Sequence, residues 1–201
     1  MNPPAQALLL ASASPRRREL LAQIGVSHRV EKHTVDERRH DAEAPEAYVQ
    51  RLAREKARDV AGRHPGAVVL GADTVVIRAG RILGKPQDQA DARQMLLSLS
   101  GTWHQVASAV TLWQGQREQT ALSLSEVQFR ELTEAEIQAY WSSGEPRDKA
   151  GAYAIQGLGA LFVRQLRGSY SGVMGLPIYE TAALLQAFAV PTALELESVN
   201  A

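Results

Sequence analysis

The stretch "ASASPRRREL", Ala11 to Leu20, places Arg16, Arg17 and Arg18 in the first turn of what reads as a helix, with Ser14 at the N-cap and Pro15 at the first helical position. Free N–H groups give a helix N-terminus about half a positive charge, so each cation there is disfavoured by about 0.3–1 kcal/mol unless an anion joins it. Arginines that splay into water avoid most of that cost. The preceding run "ALLLAS" reads as a short buried strand, and a strand, a Ser/Pro turn and a helix start together aim backbone N–H groups at a phosphate.

Lys56 and Asp73 raise the same question with opposite signs. In "APEAYVQRLAREKARDVAGRHPG" the residues Tyr48, Val49, Leu52, Ala53 and Val60 share one helical face, and Lys56 falls inside that stripe. Its stem could snorkel to the edge, or its ammonium could meet a buried anion. Asp73 lies between "VVLGA" and "TVVI", where Gly71 permits a bulge or a close backbone approach. Its carboxylate could cap a turn, or pair with a metal ion or with a lysine such as Lys85 in "ILGKP". Arg16, Arg17, Lys56 and Lys85 as cations and Glu37 and Asp73 as carboxylates fit one site if the ligand is a polyphosphate carrying Mg²⁺ or Mn²⁺. The cations would hold phosphate oxygens and the carboxylates the metal. That chemistry is phosphoanhydride hydrolysis; residue types and spacing leave the base and the scissile bond open.

Other patterns carry less. "GRILGKP" is no P-loop, because only three residues separate Gly80 from Gly84, no Ser or Thr follows Lys85, and Pro86 blocks a helix. His28, His33, His40, His64 and His104 lack metal-ligand spacing and read as surface or core residues. "GLGALF" lacks the last glycine of the dinucleotide fingerprint.

The elements that must position these groups alternate between strand and helix, which predicts an α/β protein with a mixed sheet. "VSHRVEKHTVDERR" reads as a strand running into a polar loop, followed by a long amphipathic helix from Pro45 to Gly62. "AVVLGADTVVIRAGRILGKP" reads as a buried strand, a break at Gly71-Ala72-Asp73 and a hairpin turning at Ala79-Gly80. A helix from about Asp88 to Gly101 leads to two β-rich stretches, "TWHQVASAVTLW" and "TALSLSEVQFREL", around a turn at Gly115. Thr133 and Glu136 form a capping box for a helix stopping at Gly144. Seven of the 15 glycines fall between Gly144 and Gly175, so "GEPRDKAGAYAIQGLG" reads as a site-forming loop. A last helix follows Pro177, then a short tail.

With 201 residues, 45% of them hydrophobic, the chain can bury a full core as one domain spanning 1–201, with room for two lobes. Lys plus Arg and Asp plus Glu balance at 22 each and aromatics make up only 5%, which argues against a nucleic-acid partner. The lack of cysteine excludes disulfides, thiolate zinc sites and a cysteine nucleophile. "LLLASA" has no positive residue before it and is too short for a signal peptide, and no run approaches the ~20 apolar residues of a membrane span. The expectation is a cytoplasmic protein without a membrane partner.

"LASASPRRRELL", "RLAREKA", "LGADTVV", "LGKP", "LSGTWHQVASAV" and "GEPRDKAGAYAIQGLG" followed by "GSYSGVMGLPIYET" resemble, in order from about Leu8 to Leu185, the Maf family of nucleoside triphosphate pyrophosphatases. The resemblance implies a Maf/Ham1-type α/β fold, an elongated mixed sheet in two lobes around a nucleotide cleft, commonly in a homodimer. It implies hydrolysis of a nucleoside triphosphate between the α and β phosphates with a divalent metal. Asp73 matches the proton acceptor of the family. Ser12, Arg16, Arg17, Glu37, Lys56 and Lys85 match phosphate- or metal-site positions, and Arg16, Thr74 and Gln156 match positions linked to substrate choice. "DKAGAYAIQG" resembles the branch acting on dTTP and UTP; the branch acting on 7-methyl-GTP typically has a glutamate at the position of Gln156. Arg18 and Gly84 depart from the family's usual residues without touching a matched catalytic group. A regulatory, partner-binding role in septum inhibition is the alternative of another class. It leaves Asp73, Lys56 and Lys85 in or beside apolar segments without a ligand to offset their cost.

Overall fold

The computed structural model describes residues 8–196. In chain order it contains β1 (Leu8–Leu10), α1 (Pro15–Gln23), β2 (His28–Val30), α2 (Pro45–Arg63), β3 (Val69–Arg78), β4 (Arg81–Leu83) and α3 (Gln89–Leu99). These are followed by β5 (Trp103–Gln114), β6 (Arg117–Phe129), α4 (Glu134–Ser142), three 3-10 turns, β7 (Val163–Arg167), α5 (Tyr170–Met174), α6 (Ile178–Ala187) and α7 (Ala193–Leu196). Ala7, read as the start of the first strand, and the tail from residue 197 lie outside the described residues.

The sheet is mixed, as the alternation predicts. Its order is β2-β1-β3-β5-β6-β7, with β4 also on β3. β1 runs parallel to β2 and β3; every other pairing is antiparallel. β1 takes the start of one edge of β3, at Val69 and Leu70, and β4 takes the end of that edge, from Val76 to Arg78. Among the described residues, 71–75 have no strand partner on that side, while β5 covers the other side without a break. The sheet therefore opens at the middle of β3, next to the C-terminal end of β1, the kind of crevice in which α/β proteins bind ligands.

Local sequence explains most boundaries. The β3–β4 turn puts Ala79 at φ 49° and Gly80 at φ 74°, the two left-handed residues that a twisted two-residue hairpin requires. The Thr133/Glu136 capping box is present, and Asp88 caps α3 by accepting from Asp91 N at 2.8 Å. Three expectations change. Ser14 occupies the N-cap of α1 but makes no side-chain cap bond. α2 continues through Gly62 to Arg63. The expected break at Gly71-Ala72-Asp73 is absent, because β3 pairs continuously with β5 there. Gly71 instead serves close approach: a Cβ on it would lie 2.2 Å from Ala53 O and 2.6 Å from Ala57 N, both on the backbone of α2.

Two large apolar cores flank the opening. One packs Leu8, Leu10, Leu20, Leu21, Leu70 and Leu185, and the other packs Leu96, Leu99, Val127, Phe129, Ile137 and Phe162. Partly buried Met174 touches both. α2 covers the second face of the sheet, with Ala57 and Val60 against Leu9 and Val69, and Val49 and Ala53 against Val75, Ile77 and Ala107. Strand alternation sends odd-numbered β3 residues toward α2 and even-numbered ones toward the opposite face.

Candidate active site

A cavity of about 610 Å³ surrounds the open edge of β3. Asp73 and Thr74 are chain neighbours on opposite faces of the sheet, yet both line it, because the missing strand leaves both faces accessible from one opening. Ser12, Arg16, Arg17, Glu37, Lys56, Lys85 and Gln156 line the same cavity. Every residue proposed from the sequence for the site is thus brought into one place.

Lys56 is its electrostatic centre. The tight approach of α2 at Gly71 carries Lys56 into the apolar layer, where its side chain is only 4% exposed. Nζ lies 2.7 Å from Glu37 Oε1 and 2.8 Å from Asp73 Oδ1. Asp73 therefore pairs with Lys56 and not with the sequence candidate Lys85, which is exposed and has no ion pair among the described residues. Partial burial opposes ionisation of Glu37, but the hydrogen bond and charge of Lys56, backed by His33 and Lys85, hold its carboxyl below the ordinary value.

The loop that carries Glu37 has no regular structure, so side chains of α2 hold it. Asp59 accepts from Thr34 N and Oγ1 at 3.1 and 3.0 Å, Arg51 binds Glu43 at 2.7 and 2.9 Å, and Tyr48 Oη donates to Glu37 O at 2.7 Å. On the other wall, Arg17 is buried, donating from Nε to Gly175 O at 2.9 Å and from Nη1 to Ser12 Oγ at 2.9 Å. Burial pushes its pKa down while Asp73 opposes the shift. Arg16 Nε donates to Met174 O at 3.2 Å, leaving its Nη groups without a bond among the described residues. Thr74 Oγ1 bonds Ser108 Oγ at 2.9 Å and donates to Gly175 O at 3.3 Å. The two arginines and Thr74 thus fasten the turn after α5 to the floor of the cavity.

Among the described residues no group of three or more His, Cys, Asp or Glu is placed to hold a metal. Glu37 and Asp73, gathered on one ammonium, still fit a small divalent cation: Mg²⁺ takes hard oxygen donors and is commonly held by one or two carboxylates, with phosphate and water completing its shell. The family model described as Maf-like protein matches residues 7–188.

The chain belongs to the Maf family. Among its relatives, one named dTTP/UTP pyrophosphatase from Hahella chejuensis is 50% identical over 192 residues, covering 94% of this chain and 96% of the relative. Another of that name, from Methylococcus capsulatus, is 54% identical over 187 residues, covering 92% and 93%. A solved HAM1 protein from Coxiella burnetii is 14% identical with a TM-score of 0.49, covering 90% of this chain and 98% of that one.

The Maf site contains groups that the sequence does not single out, and one, His33, that reads from the sequence as a surface or core residue. His33 lines the cavity with Nε2 3.8 Å from Glu37 Oε1, and its buried Nδ1 has no hydrogen-bond partner among the described residues. Burial and the charge of Lys56 lower its pKa, the direction of a neutral imidazole. It stands four residues before Glu37, a spacing that signals contact on a helix but not in a loop. Asp148 and Lys149, bonded to each other, and Tyr153, whose Oη lies 2.9 Å from His104 Nε2, also line the cavity. Their only sequence signal is membership of the glycine-rich segment. Gly151 N ties that segment to the turn bearing Lys85, through Gly84 O at 3.0 Å.

Proposed function

We propose that this Maf protein hydrolyses dTTP and UTP to the monophosphate and pyrophosphate. The observation that carries the reading is Lys56, buried in the cavity wall and shared by Glu37 and Asp73, facing the free ends of Arg16 and Lys85. The names of the relatives above support the substrates.

Asp73 takes a proton from the attacking water. The water oxygen bonds to the α-phosphorus, the bridging α–β P–O bond breaks, and its electron pair leaves with pyrophosphate. Lys56, with Nζ 2.8 Å from Oδ1, fixes the carboxylate in place for that role. Arg16 and Lys85 hold phosphate oxygens. Ser12 has its oxygen occupied by Arg17, so its hydroxyl hydrogen is left to donate, and Arg17 acts through the shape of the turn and its remaining N–H groups. Glu37 and Asp73 would hold Mg²⁺ or Mn²⁺, which supplies charge neutralisation at the phosphates when bound. Gln156 is exposed to the cavity with no hydrogen bond among the described residues, so its amide can donate to O4 and accept from N3–H of uracil or thymine. Among the described residues no helix is long and apolar enough to cross a membrane. A cytoplasmic homodimer built from a single domain spanning 1–201 is part of the same proposal and rests on the family resemblance.

The test is product analysis by ³¹P NMR with a panel of triphosphates and Mg²⁺ or Mn²⁺. UTP and dTTP should give monophosphate and pyrophosphate, and excess chelator should stop turnover. Orthophosphate as first product, or full activity in chelator, refutes the reading.

A further inference from the structure

Gln156 rides on a segment with little regular structure, and two anchors bracket it. Tyr140 Oη, from α4, accepts from Ala154 N at 3.1 Å, two residues before Gln156. Glu145 accepts from Leu158 N at 2.9 Å and from Gly159 N at 3.0 Å, two and three residues after it. The anchors are joined, because Tyr140 Oη donates to Glu145 Oε1 at 2.6 Å. Ile155 packs into the apolar core and Tyr153 stands between that core and the cavity, while exposed Gln156 lines the cavity.

The glycines here serve contact. A Cβ on Gly157 would lie 2.2 Å from Glu145 Oε2, and one on Gly159 would lie 2.7 Å from Ala154 O and 2.8 Å from Tyr140 Oη. The backbone can thus close onto the carboxylate only where side chains are missing. Partial burial works against the charge of Glu145, but the bonds from Tyr140, Gly159 and Leu158 outweigh it and hold the carboxyl below its ordinary value. The carboxylate receives three donors on its two oxygens; a glutamine offers one oxygen and one NH₂, so in either orientation the NH₂ faces a donor.

We propose that Glu145 is a positioning residue for base selection: without touching the nucleotide, it sets where the Gln156 amide meets the pyrimidine edge. This rests on Gln156 reading the base in the proposed reaction.

Glu145→Gln is compared with wild type in two measurements. Amide hydrogen exchange at Leu158 and Gly159 should accelerate by about tenfold or more, a readout that needs no activity. The ratio of kcat/KM for UTP over CTP should fall by about fivefold or more, since cytosine presents an amino donor where uracil has O4. The fall should come from a higher KM for UTP, with kcat within about twofold. Unchanged exchange refutes the anchor. Faster exchange with an equal loss on both nucleotides refutes the link to base choice. If wild type hydrolyses neither UTP nor dTTP, the proposed function fails, while the exchange result still judges the anchor. Should Glu145→Gln not fold, Tyr140→Phe tests the same prediction, because it removes the hydroxyl bridge and keeps the ring packed 4.9 Å from Phe162. An unchanged UTP/CTP ratio in that variant refutes the proposal.

Discussion

Asp73 and Gln156 line the same cavity with different proposed roles, and substitutions should separate them. Asp73→Asn keeps shape and the contact to Lys56 but can neither take the proton of water nor hold a metal well. It should lower kcat by about 10²-fold or more, while nucleotide still raises the melting temperature of the variant. Steady-state kinetics with thermal melts in the presence of UTP checks both halves; near-normal kcat would make Asp73 structural. Gln156→Glu can accept but not donate, which leaves O4 of the base without its donor. A fall of about 5- to 100-fold in kcat/KM for UTP and dTTP is expected, with a smaller loss or a gain for 7-methyl-GTP, whose N1 and N2 groups donate. An equal fall on all three would remove Gln156 from base selection. At this scale the sequence is readable where one element suffices: the stripe position of Lys56 follows from α2 alone. Its partners do not, because Glu37 comes from a loop and Asp73 from β3, and their meeting depends on how closely α2 lies on the sheet.

That closeness belongs to the elements. Gly71 sits under the backbone of α2, and what it would meet is a carbonyl and an amide, which cannot swing aside as a side chain would. Gly71→Ala should cost about 1–3 kcal/mol or more and displace Lys56 from its two carboxylates. The urea midpoint should fall, with kcat falling alongside; a variant of wild-type stability would show that the helix has slack. Helices α3 and α4 announce themselves through Asp88 and the Thr133/Glu136 box, and the hairpin through Ala79-Gly80, since capping and turn chemistry are local. The continuity of β3 through Gly71 is not local. Its pairing with β5 joins residues from 28 apart (Ile77 and Gln105) to 44 apart (Val69 and Trp113), and the glycine that suggests a break marks a helix contact instead.

Across the whole molecule, the second core holds a buried imidazole. His104 packs edge-on against Phe129 and Tyr153, and burial, with a smaller push from Arg78, lowers its pKa to about 4 from an ordinary 6.5. The unfolded chain therefore takes up a proton below about pH 6.5 that the folded chain refuses until about 4. The stability contributed by neutral His104 is complete above the upper value and is lost as the pH falls toward the lower one. His104→Gln should be less stable than wild type at neutral pH, and the gap should narrow across that window; urea titrations over the range check it, and a constant gap would mean that His104 does not titrate there. Neither this partnership nor the gathering of the site around one opening follows from periodicity, since both join residues far apart in the chain.

The open edge of β3 also sets how disorder is distributed when the molecule warms. Asp73 and Thr74 belong to a strand whose conformational entropy is already surrendered in forming the cores, so this floor of the cavity should lose little further freedom when a nucleotide binds. Gln156 stands on a short irregular segment held at two anchors, where local fluctuations cost less than global unfolding. Rising temperature should therefore blur the choice of base before it disables the chemistry. The UTP/CTP ratio of kcat/KM should decline over a range in which kcat for UTP still climbs; a ratio that holds until turnover collapses would place the base-reading segment in the same cooperative unit as the strand.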